Sequence, residues 1–114
     1  MRILFVEDNP GLADAFAALA SYLGHQPEVA YDGQSALDLA NTTLYDAIFL
    51  DIGLPDIDGR ELCRRLRATS TNAQTCVVAI TGRTNLSPSE VAPFDGYLIK
   101  PVTRETLEAV INNC

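Results

Sequence analysis

Two kinds of apolar pattern alternate along this chain. Short runs of consecutive apolar residues indicate strands that are covered on both faces, and stretches in which apolar residues recur every three or four positions indicate amphipathic helices. The predicted strands are residues 2–6, 28–31, 46–52, 75–81 and 97–99. A helical stretch follows each of them, so the pattern predicts five βα units.

Residue types that start and stop helices mark the ends of these stretches. Asn9 is a good N-cap, Pro10 suits a first helical position, and Gly24 is a typical stop. The later helices are predicted over 35–40, over 60–68, in a short stretch opened by Ser87-Pro88-Ser89-Glu90, and after Thr103. We therefore expect one α/β domain over residues 1–114, with a doubly wound five-stranded parallel sheet and helices on both faces.

Charge and hydropathy narrow the class of protein. The 114 residues include 8 Lys and Arg against 15 Asp and Glu, which gives a formal charge of −7. Nucleic-acid binding depends on clustered basic residues, so we expect no direct binding of nucleic acid. No apolar run approaches the ~20 residues of a membrane span, and the start of the chain becomes acidic too early for a secretory signal. We expect a cytoplasmic protein that does not insert into a membrane.

The cysteines and the histidine exclude several kinds of site. The chain has an odd number of cysteines, and none are in C-x-x-C spacing: Cys63, Cys76 and Cys114. We therefore expect free thiols and neither a disulfide framework nor a zinc site. His25 is the only histidine and lies in a predicted turn. Histidine-based triads and multi-histidine metal sites are therefore excluded.

The residues at the ends of the predicted strands carry the candidate chemistry. They are Glu7 and Asp8 after the first strand, Asp51 in the third, Thr81 in the fourth and Lys100 after the fifth. In a doubly wound sheet such positions meet outside the carboxyl ends of the strands, where ligands bind. Three carboxylates repel one another unless a cation lies among them, and all-oxygen ligands favour Mg²⁺, with Mn²⁺ or Ca²⁺ as alternatives. The set predicts a metal-assisted phosphate site.

Each of these residues also has a plainer interpretation when it is taken alone. Glu7 and Asp8 could be solvated loop acids, Thr81 an ordinary β-branched strand residue, and Lys100 a surface strand end. Asp51 is harder to explain in this way, because a charge at the end of Ala-Ile-Phe-Leu is held near apolar neighbours at a cost. Lys100 is also the chain's only lysine, and its compact ammonium suits a phosphoryl oxygen. Because all of these residues occur together at the ends of the predicted strands, we favour the phosphate site over the plainer interpretations.

The chain resembles a response-regulator receiver domain over its whole length. The matching segments are Val6-Glu7-Asp8-Asn9, Leu50-Asp51-Ile52-Gly53-Leu54-Pro55, Asp58-Gly59, Ala79-Ile80-Thr81-Gly82 and Tyr97-Leu98-Ile99-Lys100-Pro101. The resemblance implies a flavodoxin-like strand order 2-1-3-4-5 and a cis bond between Lys100 and Pro101. It further implies that Asp51 is the phosphoacceptor, that Glu7, Asp8, Asp51 and the backbone carbonyl of Gly53 hold Mg²⁺, that Thr81 and Lys100 bind the phosphoryl group, and that Tyr97 is the aromatic switch residue.

These residues predict a phosphorelay protein that signals and does not turn over a substrate. Asp51 would take a phosphoryl group from a phosphohistidine on a histidine kinase or a histidine phosphotransfer protein, and the domain would assist its own phosphotransfer and autodephosphorylation. One rival is a phosphohydrolase that works through an aspartyl phosphate. Such an enzyme needs a second acid where this chain has Gly53, and it needs a substrate-binding cap for which this chain has no room. The other rival is a receiver-like binding module that no longer takes phosphate, against which the full set of site residues argues.

The stretch between Thr81 and Lys100 departs from the family pattern. It has only 18 residues and includes Pro88 and Pro93, so we expect a shortened fourth helix and a mobile segment over 82–96. This region belongs to the face through which receivers usually signal, which leaves the output target, or a covalently attached domain, unidentified. The segments 51–55 and 100–102 most resemble receivers attached to hybrid sensor kinases. Because the sequence ends at Cys114 without an effector domain, we expect output through another protein or a further part of the chain.

Overall fold

Strands and helices alternate along the whole chain in a computed structural model that describes residues 1–114. The elements are β1 (Arg2–Val6), α1 (Pro10–Tyr22), β2 (Gln26–Ala30), α2 (Gly33–Thr42), β3 (Ala47–Asp51), α3 (Gly59–Ala68), β4 (Cys76–Thr81), α4 (Pro88–Val91), β5 (Gly96–Ile99) and α5 (Arg104–Asn112). The five predicted βα units are confirmed. None of the helices combines the length and the apolar character that a membrane span requires.

The strands form one parallel sheet in the order β2-β1-β3-β4-β5, which confirms the predicted fold class and strand order. Successive side chains of a strand point to opposite faces, so each apolar run supplies two layers of core. One layer packs Leu4 and Ile48 with Leu62 of α3. The other packs Ile3 and Phe49 with helices α1 and α5. All five residues of β3 are buried because the central strand is covered on both faces.

Helix ends follow the predicted capping residues, with one difference at α2. The Asn9 side chain accepts a hydrogen bond from the Leu12 amide, and Gly24 has a φ of 91°, a conformation that favours glycine. The sequence predicts helix α2 only from residue 35. The Asp32 side chain instead accepts from the Ser35 amide and starts α2 at Gly33, because a residue that favours turns is equally suited to an N-cap.

The edge strand β2 begins two residues earlier than the sequence predicted. It contains Pro27, which lies opposite Ile3 of β1. Glu28 also lies in β2, where it pairs with Arg2 at 2.8 Å and accepts a hydrogen bond from the Tyr45 hydroxyl. A proline is compatible with an edge position, since one side of an edge strand makes no ladder hydrogen bonds.

The shortened fourth helix is confirmed, because α4 is a single turn of four residues and buries none of them. Glu90 accepts hydrogen bonds from the Ser87 amide and hydroxyl, which closes this turn, and pairs with Arg83 at 2.7 Å. Phe94 is the one buried side chain between residues 82 and 96. The predicted mobility of this segment stays a prediction.

The expectation of free thiols is wrong for two of the three cysteines. Cys76 and Cys114 form a disulfide with a Cα–Cα separation of 5.5 Å, whereas Cys63 is free and buried. The spacing of cysteines along the chain does not reveal this bond, because the fold brings the first residue of β4 beside the end of α5 across 38 positions of sequence.

Candidate functional site

The carboxyl ends of two neighbouring strands bring the three predicted acidic residues together. Glu7 and Asp8 follow β1, and Asp51 ends β3, whose residues pair in parallel with those of β1. One carboxylate oxygen from each of the three lies within 4.8 Å of the others. The cluster is what the sequence predicted, since parallel strands deliver their ends to one edge of the sheet.

Lys100 lies between the two more buried carboxylates. Its Nζ is 2.9 Å from Asp51 Oδ2 and 2.9 Å from Glu7 Oε1. Its backbone amide donates to the Thr81 carbonyl at 2.7 Å, and its bond to Pro101 is cis, as the family resemblance implied. Burial alone would lower the pKa of the ammonium, but the contacts with Asp51 and Glu7 outweigh it and raise the pKa. Lys100 is therefore held as a cation at the centre of the site.

Glu7 is the most buried charged side chain of the site, with a relative exposure of 2%. Burial raises the pKa of this carboxyl, although contacts with Lys100 and the Asn9 amide act in the opposite direction. Oε2 accepts a hydrogen bond from Asn9 at 3.2 Å. Oε1 has Lys100 at ion-pair distance but no hydrogen bond of good geometry. A buried carboxylate oxygen with free acceptor capacity is suited to a cation.

Asp51 is fixed by two donors on its two oxygens. The Gly53 amide donates to Oδ1 at 2.8 Å, and Lys100 donates to Oδ2 at 2.9 Å. The two hydrogen bonds fix the carboxylate, and the side chain is still 13% exposed to solvent. The sequence assigned Gly53 a role through its carbonyl, and its amide contact with Asp51 was missed. No pattern in the sequence distinguishes these two backbone roles.

Asp8 and Thr81 lie at the carboxyl ends of β1 and β4, whereas Tyr97 lies further back on β5 and borders a different cavity. Asp8 is exposed, Thr81 is 5% exposed, and Tyr97 is 50% exposed on β5. Thr81 Oγ1 accepts a hydrogen bond from the Arg83 amide at 3.1 Å, which leaves its hydroxyl proton free to donate. Tyr97 lies opposite Ala79 of β4, with its side chain outward and available to a partner.

Asp56 connects the site to α2 in a way that the sequence did not reveal. It lies in the loop between β3 and α3. Its carboxylate accepts from the amides of Gly33 at 3.0 Å and Gln34 at 3.2 Å. The two hydrogen bonds span 23 and 22 residues of sequence, so no local pattern indicates them.

An apolar groove of about 560 Å³ lies beside Lys100. It is lined by α1 and by the segment after β5, including Leu12, Phe16, Leu19, Pro101 and Val102. Leu12 shares the helical spacing of Phe16 and Leu19, yet it is 37% exposed, because Ala13, Phe16 and Ala20 fill the interface between α1 and the sheet. An apolar surface is therefore exposed next to the charged centre.

The donor set fits a divalent cation and a phosphoryl group. Three carboxylates offer oxygen ligands, which Mg²⁺ prefers, and one of them has an oxygen that lacks a hydrogen bond. The Lys100 ammonium and the Thr81 hydroxyl can donate to anionic oxygens, and a carboxylate such as Asp51 has the chemistry of a nucleophile.

Comparison with known proteins agrees with this arrangement. The model of the response regulator receiver domain family matches residues 3–112. The response regulator MprA of Mycobacterium avium is 36% identical over 112 residues, which cover 96% of this chain and 48% of that protein. The chain thus spans about half the length of the curated relatives it matches.

Solved structures give the same result. A CheY-like response regulator receiver domain from Methylobacillus flagellatus is similar with a TM-score of 0.93 at 35% identity, over 99% of this chain and 97% of that one. The receiver domain of the sensor histidine kinase PA1611 from Pseudomonas aeruginosa, which has a magnesium ion in its active-site cleft, gives a TM-score of 0.90 at 30% identity, over 98% of this chain and 94% of that one. From its site, its fold and these matches, the chain belongs to the response regulator receiver domain family of two-component signalling.

Proposed function

We propose that this domain accepts a phosphoryl group on Asp51 from a phosphohistidine, in a Mg²⁺-dependent reaction, and thereby switches a protein-interaction face. The observation that carries the proposal is the position of the Asp51 carboxylate, which is held by Gly53 and Lys100 beside Glu7 and Asp8. The whole of residues 1–114 acts as one receiver domain in this proposal.

The transfer is an in-line displacement at phosphorus. An oxygen of Asp51 forms a bond to phosphorus while the bond between phosphorus and the donor imidazole nitrogen breaks, and the electron pair leaves with that nitrogen. The product is an aspartyl phosphate. Lys100 contacts Asp51 before the reaction and is within reach of a phosphoryl oxygen after it, and the Thr81 hydroxyl donates to another.

Glu7, Asp8, Asp51 and the carbonyl of Gly53 would hold the cation, with Mn²⁺ as a substitute for Mg²⁺. When bound, it offsets negative charge on the carboxylates and on the transferring group. The same residues then assist hydrolysis of the aspartyl phosphate, which gives the domain its own autodephosphorylation. The support from this chain is the all-oxygen donor set and the unsatisfied Oε1 of Glu7.

The phosphodonor is a histidine kinase or a histidine phosphotransfer protein. The groove beside Lys100 supports this, because its apolar lining suits a partner helix that would place a phosphohistidine over Asp51. Such donors act in the cytoplasm, where we place the domain. We also propose that this domain makes no direct contact with nucleic acid, since its net charge is −7.

The switch begins at Thr81. Its Oγ1 holds the Arg83 amide in the unphosphorylated state, so a turn of the hydroxyl toward a phosphoryl group weakens that contact at the start of the 82–96 segment. Tyr97 and the surface of β5 and α5 respond to the change, which is a shift between two populated states. The downstream target or attached domain reads this surface.

Acetyl phosphate with Mg²⁺, followed by intact mass, tests the proposal. We expect one added phosphoryl group in the wild type, none with EDTA, and none in Asp51→Asn. The matched control is Asp56→Asn, which removes a carboxylate outside the acidic cluster and should retain labelling. Equal labelling of Asp51→Asn would place the acceptor elsewhere, and steady turnover of a generic phosphate ester would favour the phosphohydrolase.

A further inference from the structure

We propose that Cys76 and Cys114 form a reversible thiol–disulfide site that controls whether the end of α5 is fixed to the sheet. The two residues belong to β4 and to the segment after α5, and their Cα atoms are 5.5 Å apart. A separation of this size permits both the bond and the reduced pair without movement of the backbone. Neither residue belongs to the phosphoacceptor site.

The site is open to small redox reagents. Both cysteines border a cavity of about 190 Å³, which is also lined by Asp95, Tyr97 and Val110. Cys114 is exposed and Cys76 is partly exposed. Cys63 is different, because it is fully buried, its thiol donates to the Pro93 carbonyl, and burial raises its pKa. Exchange chemistry is therefore directed to the Cys76–Cys114 pair and away from the third thiol.

Helix α5 has few other anchors to the sheet. Of its nine residues only Leu107 and Ile111 are buried. The hydrogen bonds that the amides of Asn113 and Cys114 donate go to Val110 and Ile111 within the same helix. A helix of this length is marginal without tertiary contacts. The disulfide is thus the one covalent contact that holds the last turn of α5 against β4.

The chemistry balances with a peroxide as oxidant and a dithiol as reductant. Oxidation forms the S–S bond, breaks both S–H bonds, and passes two electrons and two protons to the peroxide, which becomes water. Reduction reverses this change, and the dithiol becomes a disulfide. In the cytoplasmic location that we propose, disulfides are usually transient, which is the behaviour of a regulated pair.

The redox state changes the surface next to the proposed switch residue. Tyr97 borders the same cavity as the disulfide, and α5 packs beside β5. Release of the α5 end loosens this surface, while the carboxylates and Lys100 lie at the opposite ends of the strands. This consequence rests on the proposed function, since it assumes that β5 and α5 carry the output; the thiol chemistry itself does not.

The first experiment counts thiols in the full chain. Protein treated with hydrogen peroxide is denatured and alkylated, with and without prior treatment by dithiothreitol. We expect one alkylated cysteine before reduction, at Cys63, and three after it. The bond should form again in a second cycle and should be absent in Cys114→Ser. Three alkylated cysteines after peroxide, or a bond that forms only between two chains, would overturn the proposal.

The second experiment measures hydrogen exchange in both redox states. Reduction should speed exchange of the amides in residues 109–114 by at least about tenfold and leave strands β1 and β3 unchanged. Cys114→Ser should match the reduced wild type, and Cys76→Ser should give the same result. Equal rates in the oxidised and reduced protein would show that the bond does not fix α5.

The two proposals fail separately. Asp51→Asn cannot be phosphorylated if the proposed function is right, yet it should show the same thiol counts and the same exchange difference. Absence of the bond in a protein that is phosphorylated removes only this inference. Normal redox behaviour in a protein that never takes a phosphoryl group removes only the proposed function.

Discussion

The two ends of strands β4 and β5 are built differently. At their carboxyl ends, Thr81 and Lys100 belong to a site in which buried acids, an ammonium and backbone amides contact one another at 2.7–3.2 Å. At their other ends, the sheet meets Phe94, the Cys76–Cys114 bond and the lightly anchored helix α5. The first region is held by many short polar contacts, and the second by a few separate anchors.

This difference separates groups that depend on one another from anchors that act one by one. Charged groups that share one centre constrain each other, so a change at one of them disturbs all. The anchors of the second region are separate, and we expect each to be lost or added without disturbing the proposed phosphoacceptor site. The Cys76–Cys114 bond and Phe94 are anchors of this kind. The predictions below weaken one region at a time.

Reduction of the Cys76–Cys114 bond should have the largest effect on stability. The bond closes a loop with a sequence separation of 38, for which chain entropy gives about 4 kcal/mol of unfolding free energy. Urea unfolding with and without dithiothreitol measures this. Cys114→Ser is the control, because reductant should not change its midpoint. A wild-type midpoint that is insensitive to reductant would show that this anchor contributes little.

Removal of Lys100 should have the next largest effect. Lys100→Ala leaves Glu7 and Asp51 close together without a cation, and we expect a loss of about 3 kcal/mol in the presence of EDTA. Excess Mg²⁺ should recover part of this loss, since a cation that binds the folded state stabilises it. Arg104→Ala, at an exposed position, should cost less than about 0.5 kcal/mol.

The same unfolding measurement decides whether the site behaves as one unit. If Lys100→Ala were as stable as the wild type, with and without Mg²⁺, the charges would not constrain each other as described. Reduction of the disulfide in Lys100→Ala should lower the free energy of unfolding by the same amount as in the wild type, because the two regions share no contact.

Loss of Phe94 should destabilise the protein by roughly 2 kcal/mol, below the usual range for a fully buried phenylalanine because the ring is 9% exposed. Its effect should be local as well as global. Phe94→Ala should speed hydrogen exchange over residues 82–96, which we already expect to exchange faster than the longer helices. Phe94→Leu should retain most of the stability. Slow, uniform exchange over this segment in the wild type would contradict the picture of a few separate anchors.

The pair formed by Arg67 and Asp95 should have the smallest effect. Asp95 Oδ2 accepts from Arg67 at 2.8 Å and from the Val77 amide at 2.8 Å. Burial alone would raise the pKa of this carboxyl, but the two donors outweigh it and lower the pKa. Asp95→Asn should cost about 1 kcal/mol near neutral pH, because the pair is half exposed.

The sign of the pH effect follows from that direction. A lowered folded pKa means that the contribution of Asp95 is complete above its unfolded pKa, near about 4, and is lost as the pH falls through the folded pKa. The difference between wild type and Asp95→Asn should therefore vanish in acid. A difference that stays constant down to the lowest pH at which both proteins fold would assign the effect to packing.

What the sequence could predict follows the same division. The acidic cluster was predictable because a strand end is visible as the last residue of an apolar run, and parallel topology then brings Glu7 and Asp51 together. The Cys76–Cys114 bond and the contact of Asp56 with α2 were not, because each joins residues far apart whose local patterns are neutral. The exposure of Leu12 was not predictable for another reason: helical periodicity shows that a face is apolar, and it does not show which apolar residues the sheet can cover.

Pro27 has a consequence for how copies of this domain meet. It interrupts the donor row of one outer strand of the sheet, and the other outer strand, β5, has only four residues and is followed by Pro101. Neither border offers the long, uninterrupted template that lets chains join edge to edge and aggregate. Two copies of this domain should therefore not pair strand to strand, and any association between them must use side chains and helices.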